Sequence, residues 1–487
     1  MLTDLYQLTM AQGYLRSGIA ERTATFYLFF RRAPFGGDYA VAGGIDDAVD
    51  WIVESGLGPE ERRYLAEVPN PAGGRLFDAA LLERLGHLGD HLHVDAVEEG
   101  ELVFAQEPLL RVTGPLIAAQ VVETALLTLV NFQTLIATKA ARIRAAAGDD
   151  QVLEFGLRRA QGIDGALSAS RAAYLGGVDA TSNVLAGQQF GIPVAGTHAH
   201  SWVMAFDTET EAFDAYARAM PDNCVLLVDT YDTEAGVRRA VEVGRRLQAK
   251  GHRFLGVRLD SGDLVALSKM ARAALDEAGL HDATVVASND LDEARIRELK
   301  ADGAQIGTWG IGTRLATGHP QAALGGVYKL SAIAAADGAM QPRIKLSEDR
   351  IKTSLPGELT AHRFVNDGAI VADVIHDVKC AIREGSELRH PSGEAAPSLA
   401  GFGEVRELLS PAVRNGKRAR ARTPLHEARQ RALDARGLAF SAPVRIDAAT
   451  HEAQEACIAA AQTSVAAQDR DAAVQEDEAG ARKRVGP

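Results

Sequence analysis

The turn Gly196-Thr-His-Ala-His-Ser201 sets two imidazoles two residues apart. A histidine so placed can take up a phosphoryl group, hold a metal, or serve as a hydrogen-bonded structural residue. The turn offers no third metal ligand. The three cysteines, Cys224, Cys380 and Cys457, are widely scattered, so a zinc-type centre is disfavoured. A second segment, Arg258-Leu-Asp-Ser-Gly-Asp263, gathers a guanidinium, two carboxylates and the Ser261 hydroxyl around Gly262. Asp260 and Asp263 carry the hard oxygen donors that Mg2+ selects, yet an Asp opening a helix needs no metal to be useful. Both uses fit here, with Asp263 as the cap and Asp260 facing a substrate. Arg258 presents a planar fork that suits a carboxylate.

Two further segments carry recognition chemistry. Gly307-Thr-Trp-Gly-Ile-Gly-Thr-Arg314 places Gly310 and Gly312 before the hydroxyl of Thr313. Backbone N–H groups freed there can cradle phosphate, although a tight turn without a ligand reads the same way. Glu154-Phe-Gly-Leu-Arg-Arg159 sets Phe155 beside Arg158 and Arg159. The ring can stack on a flat ligand or fill a core, and the guanidiniums suit phosphate, carboxylate or surface acids. Asp179, Thr181, Ser182 and Asn183 form a polar cluster that a turn explains equally well.

These segments share one context: a short apolar run, a polar or glycine-rich turn, then an alanine-rich helix. The runs are Val152–Phe155, Ile192–Val194, Val225–Val228, Phe254–Val257, Thr284–Ala287 and Gln305–Ile306. Such alternation predicts parallel βα units. Six turns supplying one site favour a barrel, whose chemistry sits at the carboxyl ends of its strands, over a doubly wound sheet with a single switch point. The expected class is therefore α/β: a barrel over 134–331, and a first domain over 1–133 that is completed by about 332–422. The stretch 423–487, rich in Ala, Arg, Glu and Gln, reads as a C-terminal extension, partly helical or disordered, with a solvated helix over 448–473 and a frayed tail over 475–487.

Composition bounds the function. A net charge of -13 argues against general nucleic-acid binding. The most apolar stretch, 116–130, is interrupted by Gln120 and Glu123, too short and polar to span a bilayer. With no signal-like start and few cysteines, a cytoplasmic enzyme is expected, with no nucleic-acid or membrane partner.

Taken in order, the blocks Thr3-Asp-Leu-Tyr-Gln7, Phe29-Phe-Arg31, Pro34-Phe-Gly-Gly37, Glu154 to Gly162, Thr181-Ser-Asn183, Gly196 to Ser201, Asp229-Thr-Tyr-Asp-Thr233, Arg258 to Asp263, Gly310 to Thr313 and Val327-Tyr-Lys329 resemble the nicotinate phosphoribosyltransferases. The resemblance implies the type II phosphoribosyltransferase fold, in which an irregular α/β barrel lies beside an open-faced α/β domain, a homodimer, and synthesis of nicotinate mononucleotide and pyrophosphate from nicotinate and phosphoribosyl pyrophosphate (PRPP) in NAD biosynthesis. It implies coupling to ATP hydrolysis, with Mg2+ as cofactor and His200 as phosphohistidine. By position, Tyr6, Thr197 and Arg258 resemble nicotinate contacts and Thr313 a PRPP contact. Tyr6 of one subunit and Phe155 of the other would sandwich the pyridine ring. Two other readings share these residues: a nicotinamide phosphoribosyltransferase, and a catalytically idle relative acting as a binding protein. The presence of His200, Arg258, Asp260 and Thr313 speaks against the idle relative.

Overall fold

The computed structural model describes residues 2–347, 352–399, 402–440 and 443–463. Its first sheet is antiparallel and has seven strands, in the order Met340–Pro342, Gly326–Ala334, Thr23–Phe30, Leu110–Pro115, His93–Ala96, Ser410–Arg414 and Lys417–Arg418. Thr23–Phe30 is buried along almost its whole length, because elements cover both faces of this sheet. One of them is the apolar stretch after Pro115, which forms two helices, Leu116–Val121 and Glu123–Ala147. Most of the 116–147 stretch is buried inside the protein.

The second sheet builds the barrel. Its six strands are all parallel, in the order Ala180–Thr181, Gln151–Glu154, Thr308–Ile311, Thr284–Ala287, Phe254–Leu259 and Cys224–Leu227. The edge strands do not pair with each other. Three helices, Val184–Phe190, His200–Met204 and Glu209–Ala219, lie along the chain between them, so the barrel is incomplete. The outer helices bury one face each. In Thr233–Ala249 the buried residues Gly236, Val237, Ala240, Val243, Gly244 and Leu247 recur at helical spacing. Asp232, Asp263 and Asp292 each accept backbone N–H bonds at a helix start, so these three acids have a structural use.

Two expected strands moved. Ile192–Val194 is not a strand; Val194 makes only an isolated bridge to Thr181, and the two-residue strand Ala180–Thr181 takes its place in the sheet. The last barrel strand is Thr308–Ile311 rather than Gln305–Ile306, so the first half of the glycine motif, with Gly310, is strand and not turn. Trp309 explains the shift: it is fully buried, and its indole N–H reaches Asp150 at 3.0 Å.

A third sheet was not expected. Its six-strand path runs Ala395–Ala396, Leu388–Arg389, Val444–Asp447, Ala369–Asp377, Leu359–Asn366 and Glu404–Glu407. The expected extension from 423 is, over its described part, built into the fold. Val444–Asp447 is an interior strand of this sheet, and the helix Leu425–Ala435 packs on the barrel helix Gly162–Leu175. Arg429 of that helix donates to the carbonyls of Gly177 and Val178 and to Asp179. Of the expected helix over 448–473, the part to 463 is helical; the remainder and the expected tail lie outside the described residues.

Buried charge ties the third sheet to the first domain. Arg363 is fully buried; it donates to Asp373 at 2.8 Å, to Glu101 at 2.6 Å and to the Leu102 carbonyl at 2.7 Å. Arg406 also meets Glu101, at 2.7 Å. Burial, then neighbouring Asp373, pushes the Glu107 carboxyl well above the usual range. Glu101 and Asp373 thus face the guanidiniums of Arg363 and Arg406. Removing one partner strands buried charge, which costs about 3–5 kcal/mol. Arg363→Met is therefore expected to lower unfolding stability by about that amount in a urea titration; a loss below about 1 kcal/mol would contradict this role.

Candidate active site

Parallel pairing brings the carboxyl ends of the barrel strands to one side, and Arg258 sits there as the fifth residue of Phe254–Leu259. Three turns hold its guanidinium. Nη1 donates to Thr197 Oγ1 at 2.9 Å, Nη2 to Asp260 Oδ1 at 3.0 Å, and Nε to Ser288 Oγ at 2.9 Å. Guanidinium has five N–H donors. Three are used, which leaves one on each terminal nitrogen. The side chain is only 14% exposed, so these two donors are held in a fixed direction.

Beside it lies Phe155. The Arg258 guanidinium carbon is 5.6 Å from the ring centroid, within reach of a cation–π contact. Gly310 explains how the ring fits: a Cβ at 310 would lie 2.7 Å from the ring, so only glycine leaves it room. Phe155 N donates to the Ile311 carbonyl at 2.7 Å, which draws its turn against Gly312. Glu154 anchors the same turn from beneath. Its buried carboxylate accepts Ser170 Oγ at 2.9 Å, Thr181 Oγ1 at 2.6 Å and the Gly156 amide. Asn183 joins through Ser170 and Thr181. The polar cluster at 181–183 is thus a brace for the Phe155 turn.

The two histidines separate cleanly. His198 is buried, its Nε2 accepts the Leu227 amide at 3.2 Å, and its Nδ1 faces the Ala199 carbonyl at 3.3 Å. Both nitrogens are occupied, so the ring is a neutral brace. Burial, with the nearby Arg258 and His200 adding to it, depresses its pKa from 6.5 to about 4. His200 is 41% exposed; its Nδ1 lies 3.2 Å from Thr230 Oγ1 and its Nε2 3.8 Å from Asp260 Oδ2. Of the two, His200 alone offers a ring nitrogen to a ligand.

The acids also divide. Asp263 Oδ1 accepts the amides of Val265 and Ala266 as a helix cap. Asp229 takes the Asp260 amide at 2.9 Å and Ser261 Oγ at 2.6 Å on Oδ2, while its buried Oδ1 has no hydrogen-bond partner. Gly262, with φ +81, makes the bend that places Ser261 there. Among the described residues no three His, Cys, Asp or Glu side chains group as a cation site.

The remaining expected residues are placed less tightly. Arg158 and Arg159 are exposed on the single turn Leu157–Arg159 at the rim, and Thr313 is exposed just past Gly312. Tyr6 is half-exposed on the helix Leu5–Arg16, with Asp4, Gln7 and Glu123 as its neighbours. One chain does not bring it to Phe155. Asp229, Thr230 and Ser288 are site residues beyond those expected from the sequence. Their signal was the strand-end turn that each occupies.

A model for the N-terminal domain of nicotinate phosphoribosyltransferase matches residues 1–131, and the model for the nicotinate phosphoribosyltransferase family matches residues 151–367. The nicotinate phosphoribosyltransferase of Bacillus subtilis (strain 168) is 48% identical over 365 residues, covering 75% of this chain and 73% of the relative. That of Homo sapiens is 39% identical over 476 residues, covering 86% and 87%. The crystal structure of human nicotinic acid phosphoribosyltransferase matches with a TM-score of 0.79 at 33% identity, over 94% of this chain and 100% of that one. A nicotinate-nucleotide pyrophosphorylase from Pyrococcus furiosus shares the fold, with a TM-score of 0.68 at 21% identity over 89% and 93% of the two chains.

The His198 geometry has a pH signature. The folded ring stays neutral to about pH 4 while the unfolded one protonates near 6.5, so the unfolded state binds more protons in that window. Stability is therefore lost as pH falls from about 6.5 to about 4. In an NMR titration the His198 ring signals are expected to stay nearly unshifted down to about pH 5 and to move with a midpoint near 4. A midpoint near 6.5 would show that the ring is not the buried brace described.

Proposed function

The chain belongs to the nicotinate phosphoribosyltransferase family, and from that premise we propose that it joins nicotinate to PRPP in NAD biosynthesis in the cytoplasm. The pyridine nitrogen attacks C1 of the ribose; the new C–N bond replaces the C–O bond to pyrophosphate, which leaves with the electron pair. The observation that carries this reading is the Arg258 fork beside Phe155. A nicotinate ring stacked on Phe155 would set its carboxylate against two parallel N–H donors. Thr197 orients the fork. Gly312, Thr313, Arg158 and Arg159 border the same mouth and suit the phosphates of PRPP. The half-exposed Tyr6 would close over the ring from the second subunit of a homodimer.

Mg2+ is the cation that such a diphosphate carries. Asp229 and Asp260 fit it, since Asp229 keeps a buried carboxylate oxygen without a partner. When bound, the ion would offset the charge building on the departing pyrophosphate. Asp263 is committed to its cap and is a weaker candidate.

We further assign the ATP coupling to His200. Its ring accepts the γ-phosphoryl group, releasing ADP, and water later cleaves the phosphohistidine to inorganic phosphate. The added charge at the strand ends would shift the site between substrate-binding and product-releasing states. Incubation with γ-labelled ATP is expected to give an acid-labile label that is lost in His200→Ala and kept in His198→Met. Label lost in His198→Met and retained in His200→Ala would reverse the assignment.

Acid selectivity supplies a second test. An amide would turn N–H groups toward the Arg258 donors, and unpaired buried donors cost about 1–3 kcal/mol, or roughly tenfold to a hundredfold. Arg258→Lys keeps the charge and removes the fork. The ratio of kcat/KM for nicotinate over nicotinamide is expected to drop at least about tenfold; an unchanged ratio would move carboxylate recognition to Arg158 or Arg159.

A further inference from the structure

Ser288 follows the strand Thr284–Ala287 and is 3% exposed. Its hydroxyl accepts from Arg258 Nε at 2.9 Å and donates its one proton to Asp260 Oδ1. Asp260 Oδ1 in turn accepts from Arg258 Nη2 at 3.0 Å. The three side chains therefore close a ring in which cation, carboxylate and hydroxyl fix one another. The Leu259 carbonyl lies 3.5 Å from the same hydroxyl, a much longer contact. The backbone beyond the serine is also unusual. Asn289 and Asp290, with φ of 88 and 46, both take the left-handed conformation, which non-glycine residues adopt at a cost and which clusters at functional sites.

We propose that Ser288 is the positioning residue of the carboxylate site: by occupying the Nε edge of Arg258 it leaves the two terminal N–H donors as the only free pair, aimed into the barrel mouth. This rests on Arg258 as the nicotinate partner, as set out above. Without the hydroxyl, Nε–H loses its acceptor inside a nearly closed space. The guanidinium can then swing so that Nε–H and Nη2–H meet Asp260 side-on, and the fork turns away from the ligand. Ser288 touches no substrate in this account. Its effect falls on binding of the acid and little on the chemical step.

The test is steady-state kinetics of the full-length protein with nicotinate and PRPP. Ser288→Ala is expected to raise the KM for nicotinate about tenfold, the worth of one charge-assisted hydrogen bond, with kcat within about threefold and the KM for PRPP little changed. In an Arg258→Lys background the same substitution should add no further rise, because the group it positions is gone. Ser288→Cys keeps the volume with a poor donor and is expected to behave like the alanine variant, which covers the case in which alanine does not fold. An unchanged KM in an active variant, or an equal rise in the lysine background, would overturn the proposal while leaving the family reading intact. A wild type without nicotinate-dependent turnover would overturn both.

Discussion

A largely buried guanidinium that must be satisfied from three directions organises this molecule. Arg258 lies between the strand ends that carry Asp229 and Ser288, and none of its three acceptors comes from its own strand. Thr197 reaches it from the turn after the isolated bridge, Ser288 from the next strand, and Asp260 from the turn that follows. A charge taken this far from water is tolerated only when its donors are met. Those partners can meet it only if the parallel strands end level with one another. The register does this: Arg258 stands beside Leu227 on one side and Val286 on the other. The same alignment sets His200, Asp229 and Phe155 around the guanidinium.

The level barrel mouth in turn depends on buried polar braces. Arg171 of the helix Gly162–Leu175 donates to Glu99 at 2.6 Å and to Gln133 at 2.8 Å, while Glu99 also receives the amides of Gly44 and Asp46. One buried carboxylate thus joins the barrel to the first domain. The helix Leu425–Ala435 packs on the same barrel helix, with Arg429 over the Tyr174 ring, and Arg429 and Arg144 both meet Asp179 in the turn beyond it. These contacts are directional, so they fix orientation as well as supplying stability.

Much of this was legible in the sequence, and the exceptions have physical causes. Phe254–Val257 and Thr284–Ala287 announce themselves as apolar runs closed by polar turns, although the first strand runs on to Leu259. Their helices are opened by Asp263 and Asp292, whose capping chemistry is local. Ala180–Thr181 is too short to show any period, and its place was given to the more apolar Ile192–Val194. The motif around Gly310 read as a turn because glycine is poor in strands, yet here the Phe155 ring occupies the space a side chain would need. The helix Leu425–Ala435 read only as part of an extension because its packing uses alanines and arginine-to-carbonyl bonds in place of a leucine stripe. Ser288 and Asp229 were invisible as site residues for another reason. Nothing local distinguishes a turn hydroxyl or acid that meets a distant guanidinium from one that caps a helix.

The central claim is that Arg258, fixed by its three partners, recognises a carboxylate on a flat ring at the mouth of the barrel. Calorimetric titration of nicotinate and of nicotinamide into the wild-type protein tests it without relying on turnover. The acid is expected to bind at least about tenfold more tightly than the amide at neutral pH, the worth of the unmatched donors. Equal affinity for the two, or a preference for the amide, would contradict it.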